Sequence, residues 1–96
     1  MRFDWDEKKA SGNKKKHGIA FEEAITAFDD PFALIARDPK HSENELREWL
    51  IGEADPGVVV VIFTIRQPGN IFRIISARRA SRKERKSYEK EKKLPV

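Results

Sequence analysis

Cysteine is absent from the 96 residues, so neither a disulfide framework nor a thiolate metal site is available, and a reducing compartment suits the chain. Long apolar runs are missing as well. The longest, Val58 to Phe63, is far too short to span a bilayer, and Met1-Arg2-Phe3-Asp4-Trp5-Asp6 has no apolar leader core. A soluble, cytoplasmic protein with no membrane partner is the expectation. Histidine is scarce: His17 and His41 stand alone and far apart, and no histidine or carboxylate cluster has the spacing of a zinc or magnesium site. Neither a metal nor a cofactor is expected. With no Gly-rich phosphate loop, no Gly-x-Ser-x-Gly turn and no thiol, the corresponding nucleotide, acyl-transfer and cysteine chemistries have no vehicle. No internal repeat appears, and a chain of this length holds one modest core, so residues 1–96 read as a single domain.

What is present is charge, unevenly distributed. Residues 1–57 carry 9 Lys/Arg against 13 Asp/Glu, and residues 58–96 carry 11 against 3, so a net +4 hides a balance of −4 followed by +8. A basic half attracts polyanions. A solvated basic C-terminal helix accounts for the same numbers.

The patterning predicts an α+β domain. Residues 2 to 5 give a short edge strand. Asp6 caps a first helix that ends in Lys14, Lys15, Lys16 and His17 and is closed by Gly18, with Trp5 and Ile19 as its anchors. Phe21, Ala24, Ile25 and Phe28 form the apolar stripe of a second helix, ended by Asp29-Asp30-Pro31. Phe32 to Ala36 reads as a short strand, and Arg37 to Asn44 as a polar, mobile loop. Three strands follow, Arg47 to Glu53, Val58 to Arg66 and Ile71 to Arg78, separated by the turn residues Asp55-Pro56-Gly57 and Gln67-Pro68-Gly69-Asn70. Val58 to Ile65 is apolar on both alternating sets and belongs at the centre of the sheet. Ser81 and Glu84 make a capping box for a basic terminal helix running to about Lys93, with a frayed tail beyond it. That helix has almost no apolar stripe, which predicts loose attachment or a partner that holds it. The sum is an antiparallel sheet of about four strands, two N-terminal helices on one face and a basic C-terminal helix.

Several short pieces occur together in a fixed order: Phe3-Asp4-Trp5-Asp6, Asn13, Lys16-His17-Gly18, Phe21-Glu22-Glu23-Ala24, Asp30-Pro31, and Phe72-Arg73-Ile74-Ile75-Ser76-Ala77-Arg78-Arg79-Ala80. Read as a set over residues 3 to 88, they resemble the BrnT family of toxins from bacterial toxin-antitoxin systems. The resemblance implies a small RelE-like ribonuclease that cleaves RNA and inhibits translation. It also implies a cognate BrnA-like antitoxin with a ribbon-helix-helix DNA-binding domain, through which alone operator DNA is reached.

RNA cleavage suits such a chain because the 2′-hydroxyl of RNA can itself attack the adjacent phosphorus. An enzyme then has to align the backbone, stabilise the charge that develops and manage two protons, which needs no metal. Arginine fits the second task through its planar fork but is too weak an acid to serve as a base. Strand alternation puts Val60, Ile62, Thr64 and Arg66 on one face, and Phe72, Ile74, Ser76 and Arg78 on one face of the next strand. If the two faces coincide, Thr64, Arg66, Ser76 and Arg78 line a polar groove with Arg66 and Arg78 as the catalytic clamps, a role weighted toward function by the resemblance. Otherwise Arg66 flanks a turn and Arg78 pairs with a carboxylate. Arg73 and Arg79, in the opposite alternation, are candidates for RNA backbone contact, as are Arg82 at the sheet margin and the run Lys14, Lys15 and Lys16, whose alternative is a solvated face. Tyr88 is a candidate for holding a phosphate or stacking on a base, with core packing the alternative. His17 has the pKa for acid or base work, or caps its helix as a cation. His41 is a weaker candidate. Trp5 and Trp49 are assigned to the core, with base stacking as their other use. The rival readings are a non-catalytic RNA-binding module and a basic protein-interaction domain.

Overall fold

The structure is a computed structural model that describes residues 1–38 and 46–93. The elements run β1 (Arg2–Asp4), α1 (Glu7–His17), α2 (Phe21–Ala24), a 3-10 helix (Ile25–Asp29), β2 (Leu34–Asp38), β3 (Arg47–Ala54), β4 (Gly57–Arg66), β5 (Ile71–Arg79) and α3 (Arg82–Lys93). The class is α+β. The sheet has five strands in the order β1-β5-β4-β3-β2, and it is mixed: β1 lies parallel to β5, while the other neighbours are antiparallel. This corrects the expectation of about four antiparallel strands. The extra parallel pair arises because α1 carries the chain away from β1 before the meander begins, so β1 returns to the far edge of β5 without a hairpin. No described helix is long and apolar enough to cross a membrane.

Local chemistry accounts for the element ends. The Asp6 carboxylate accepts from the Lys8 and Lys9 amides at the start of α1, and Gly18 ends the helix in the left-handed region, φ 73°, with its amide bonded to the Lys14 carbonyl. The second apolar stripe forms only one α-helical turn before tightening into the 3-10 helix at Ile25. At α3 the expected box is present in both directions: the Ser81 amide donates to Glu84 and the Glu84 amide donates to the Ser81 hydroxyl.

The inner face of the sheet packs on α1, α2 and the 3-10 helix. Its core joins Ile19, Phe21, Ala24 and Ala27 to Leu50, Val59, Val61, Phe63, Ile74 and Ala77. Phe28 meets Phe3, Phe63 and Phe72 edge-on, which completes one aromatic cluster. Gly52 lets the 3-10 helix approach β3 closely: a Cβ on it would come within 3.1 Å of the Ala27 carbonyl and 3.2 Å of Ala33, so these neighbours would have to give by a few tenths of an ångström. α1 is held by Asn13 as well as by the expected Trp5 and Ile19. Its buried side-chain amide accepts from the Ala77 N–H and donates to the carbonyls of Ala77 and Ile19. Beyond the three-residue β1, this one side chain takes the place of a strand along the edge of β5.

One irregularity decides the outer face. Ile62 opposes Ser76 but Phe63 opposes Ile74, so Ile75 is an extra residue in β5, a β-bulge. Simple alternation grouped Phe72 and Ile74 with Ser76 and Arg78. The bulge reverses that: Phe72 and Ile74 turn into the core, and Ile71 and Arg73 join Ser76 and Arg78 on the outer face.

Candidate nucleic-acid site

The outer face is built in rows that cross the strands. Leu34, Ile51, Val60 and Arg78 form one row, Ala36, Trp49, Ile62 and Ser76 the next, and Asp38, Arg47, Thr64, Arg73 and Asp4 the third. A last row holds Arg66, Ile71 and Arg2. The first row is covered by α3, whose Tyr88 is 2% exposed and packs on Ile51 and Val60. The third and fourth rows bring Arg2, Arg47, Arg66 and Arg73 to one side of the sheet at one end of it.

Rows on one face are separated by two residues, about 7 Å, and neighbouring strands by about 5 Å. Arg47 and Arg73 therefore flank Thr64 with their backbones about 10 Å apart, and Arg66 lies about 7 Å along β4 from Thr64. Thr64 is buried and donates to the Leu46 carbonyl at 2.7 Å, which fixes the middle of the row. Arg73 pairs with Asp4 at 3.2 Å, a part-buried contact on neighbouring strands. Arg66 is exposed, whereas Arg47, whose Nε is enclosed, and Arg73 are half-buried; guanidinium groups held on rigid strands are suited to gripping a phosphate chain.

The expected pairing of Arg66 with Arg78 does not occur. Both point to the outer face, but β4 and β5 are antiparallel, so the end of one strand lies beside the start of the other. Arg78 opposes Val60, six residues before Arg66 on β4, which separates the two backbones by about 20 Å. Arg78 is instead gripped by Glu84 through two bonds of 2.7 and 2.9 Å, the carboxylate alternative weighed for it. That bond raises the Arg78 pKa further, while the same contact, with support from Ser81, holds the Glu84 carboxyl at about 2.

Tyr88 does not reach the arginine rows. Its hydroxyl donates to Asp30 at 2.5 Å, and burial followed by that carboxylate pushes its pKa upward, so the phenol stays protonated. Burial by itself would raise the Asp30 pKa, but bonds from Tyr88 and from the Glu53 and Phe32 amides outweigh it and leave the group ionised. The pair ties α3 to the end of the 3-10 helix, and Lys92 adds an ion pair to Glu53 at 3.5 Å. A helix written without an apolar stripe is thus held by the buried Tyr88 ring, its bond to Asp30, and the Glu84–Arg78 and Lys92–Glu53 pairs.

The remaining candidates lie apart from the four arginines. Arg79 donates to the Pro56 carbonyl at 2.9 Å at the far end of β5. Arg82 is exposed at the start of α3. Asn13 fixes α1 beside Ala77, so Lys14, Lys15, Lys16 and His17 follow it toward the Arg79 end of β5, the three lysines exposed and His17 half-buried. His41 and most of the loop expected to be mobile lie outside the described residues, as does the tail beyond Lys93. Sequence reasoning missed Arg2, Arg47 and Asp4 as members of this surface. A signal for Arg47 was available: a two-residue turn at Asp55-Pro56 pairs Ala54 with Gly57 and therefore Arg47 with Thr64.

A model of the family described as the ribonuclease toxin, BrnT, of type II toxin-antitoxin systems matches residues 5–84. The chain belongs to the BrnT family. It is thereby a ribonuclease toxin with a cognate antitoxin as partner. The matched span contains Arg47, Thr64, Arg66 and Arg73 and stops short of Tyr88. No individual curated protein matches the chain.

Proposed function

We propose that this BrnT-family protein is a RelE-like, metal-independent endoribonuclease, acting in the cytoplasm on single-stranded RNA, in practice mRNA, and inhibiting translation and growth. The observation that carries this reading is the set of Arg47, Arg66 and Arg73 on one face around Thr64, in a chain whose family is one of ribonuclease toxins. The RNA backbone lies along the two outer rows. Arg47 and Arg73 straddle the scissile phosphate, and Arg66, with Arg2, holds the adjacent one. The attacking nucleophile is the RNA's own 2′-hydroxyl. As it closes on phosphorus, charge grows on the non-bridging oxygens, where fixed guanidinium donors stabilise it more than they stabilise the ground state. The products are a 2′,3′-cyclic phosphate, or the 3′-phosphate from it, and a 5′-hydroxyl.

The antitoxin in this reading is BrnA-like, with a ribbon-helix-helix domain that contacts operator DNA and an acidic segment that competes with RNA for the same arginines. End-group mapping of RNA incubated with purified protein tests the mechanism. Cyclic or 3′-phosphate ends formed in the presence of chelator are expected; 3′-hydroxyl ends, or activity lost with chelator, would remove it. Growth arrest on expression, relieved by the neighbouring open reading frame, tests the toxin role.

A further inference from the structure

We infer that Trp49 is a stacking platform for one unpaired nucleobase of the bound strand, an inference that rests on the ribonuclease reading above. Trp49 occupies the row between the part of the outer face that α3 covers and the row of Arg47, Thr64 and Arg73. On the covered side, Ile51 and Val60 are 3% and 2% exposed. In Trp49's own row the burial is less complete: Trp49 and Ile62 are half-buried and pack against the cluster around Tyr88. Their row neighbours are Ala36 and Ser76. Small side chains on both flanks leave the indole and Ile62 as the bulkiest groups of that row.

A half-covered indole one row from Arg47 and Arg73 has a specific use. Aromatic side chains beside a cationic track hold successive bases by their π-faces, and the contact tolerates any base. Two residues along β3, about 7 Å, separate Trp49 from Arg47, so a base on the indole keeps its own phosphate at the charged row. The other tryptophan is differently placed: Trp5 meets Phe21 edge-on at 5.8 Å and belongs to the inner core. Trp49 thus fixes which nucleotide enters beside the clamp, while the arginines fix where its phosphate sits.

The test uses the full chain and a single-stranded oligoribonucleotide carrying 2′-O-methyl groups throughout, which blocks attack by its own hydroxyl. In Trp5→Phe protein the indole signal comes from Trp49, and titration is expected to change it with the affinity that anisotropy of a labelled strand reports. With unsubstituted protein, a series in which one abasic position is walked along the strand is expected to show one register where affinity falls about tenfold to a hundredfold. Trp49→Phe, which keeps a π-face, should bind within a few-fold of the parent, whereas Trp49→Leu should lose the dependence on that position. A flat abasic series, or an indole signal unmoved by a strand that binds, overturns the platform and leaves the ribonuclease reading standing. A stepped series in a protein that cleaves no unmodified RNA keeps the platform and removes the nuclease. A strand that does not bind at all removes both.

Discussion

At the Val60 end of the sheet, Arg78 on the outer face is locked to Glu84 beside a helix that buries Tyr88, and Arg79, opposite Val59, is bonded to the Pro56 carbonyl. At the Arg66 end, Arg2, Arg47, Arg66 and Arg73 occupy two adjacent rows that α3 does not cover. Both ends are rich in arginine, so composition does not distinguish them. What does is the helix: where α3 arrives it brings a capping carboxylate that turns the nearest guanidinium into a structural brace. Where it does not reach, Arg73 is paired with the Asp4 carboxylate of the neighbouring strand, and no described helix lies across the row. A basic strand end is therefore a weak sign of function until the partner of each cation is known.

The largest effect expected at the covered end is on stability. Tyr88→Ala should cost about 3–5 kcal/mol, by analogy with other buried aromatic truncations, and Tyr88→Phe about 1–3 kcal/mol through the lost bond to Asp30; both are read from urea unfolding. At the open end the loss should fall on rate. Arg73→Ala is expected to lower kcat/KM for RNA cleavage about 100- to 1000-fold with little change in unfolding midpoint. Arg78→Ala should do the reverse, with cleavage by the folded protein within a few-fold of the parent. If Arg78→Ala proved as inactive as Arg73→Ala while equally folded, the division between the two ends would collapse.

A smaller effect is set by pH. Glu84 has a folded pKa of about 2 against an ordinary 4.5, so the stability it contributes is complete above pH 4.5 and is lost as pH falls toward 2. Both side chains of its pair with Arg78 are partly solvated, so Glu84→Gln should cost only about 1 kcal/mol at neutral pH. The gap between the two proteins should close over the acid range. Asp30, also lowered, works in the same direction and persists in both. The smallest change expected is at the open end. Asp4→Asn removes the carboxylate beside Arg73 and should tighten RNA binding a few-fold at low salt, an advantage that fades as salt rises.

Much of the fold was legible because it rests on local rules. The caps at Asp6, Gly18 and Ser81, the turns at Asp55-Pro56 and Gln67 to Asn70, and the centrality of β4 all follow from residue type and spacing. The site was legible only in part. Thr64 and Arg66 lie on the outer face as alternation implies, Thr64 buried there and Arg66 exposed, but Arg73 reached it through a bulge at Ile75 that no residue type announces. Arg66 and Arg78 were paired in expectation because both end strands, and an antiparallel hairpin sends such ends apart.

By itself the sequence determined most of the strand and helix ends, though neither the tightening at Ile25 nor the Leu34–Asp38 bounds of β2, and that the basic residues gather in the second half. Those properties are set within a few residues by backbone preference, capping and side-chain period. Only the tertiary structure decided which residue each cation meets, since that depends on contacts such as Arg78 with Glu84, Arg73 with Asp4 and Asn13 with Ala77. A guanidinium's role is fixed by what the fold places within 3 Å of it, and neither strand register nor helix placement is written in the side chain itself.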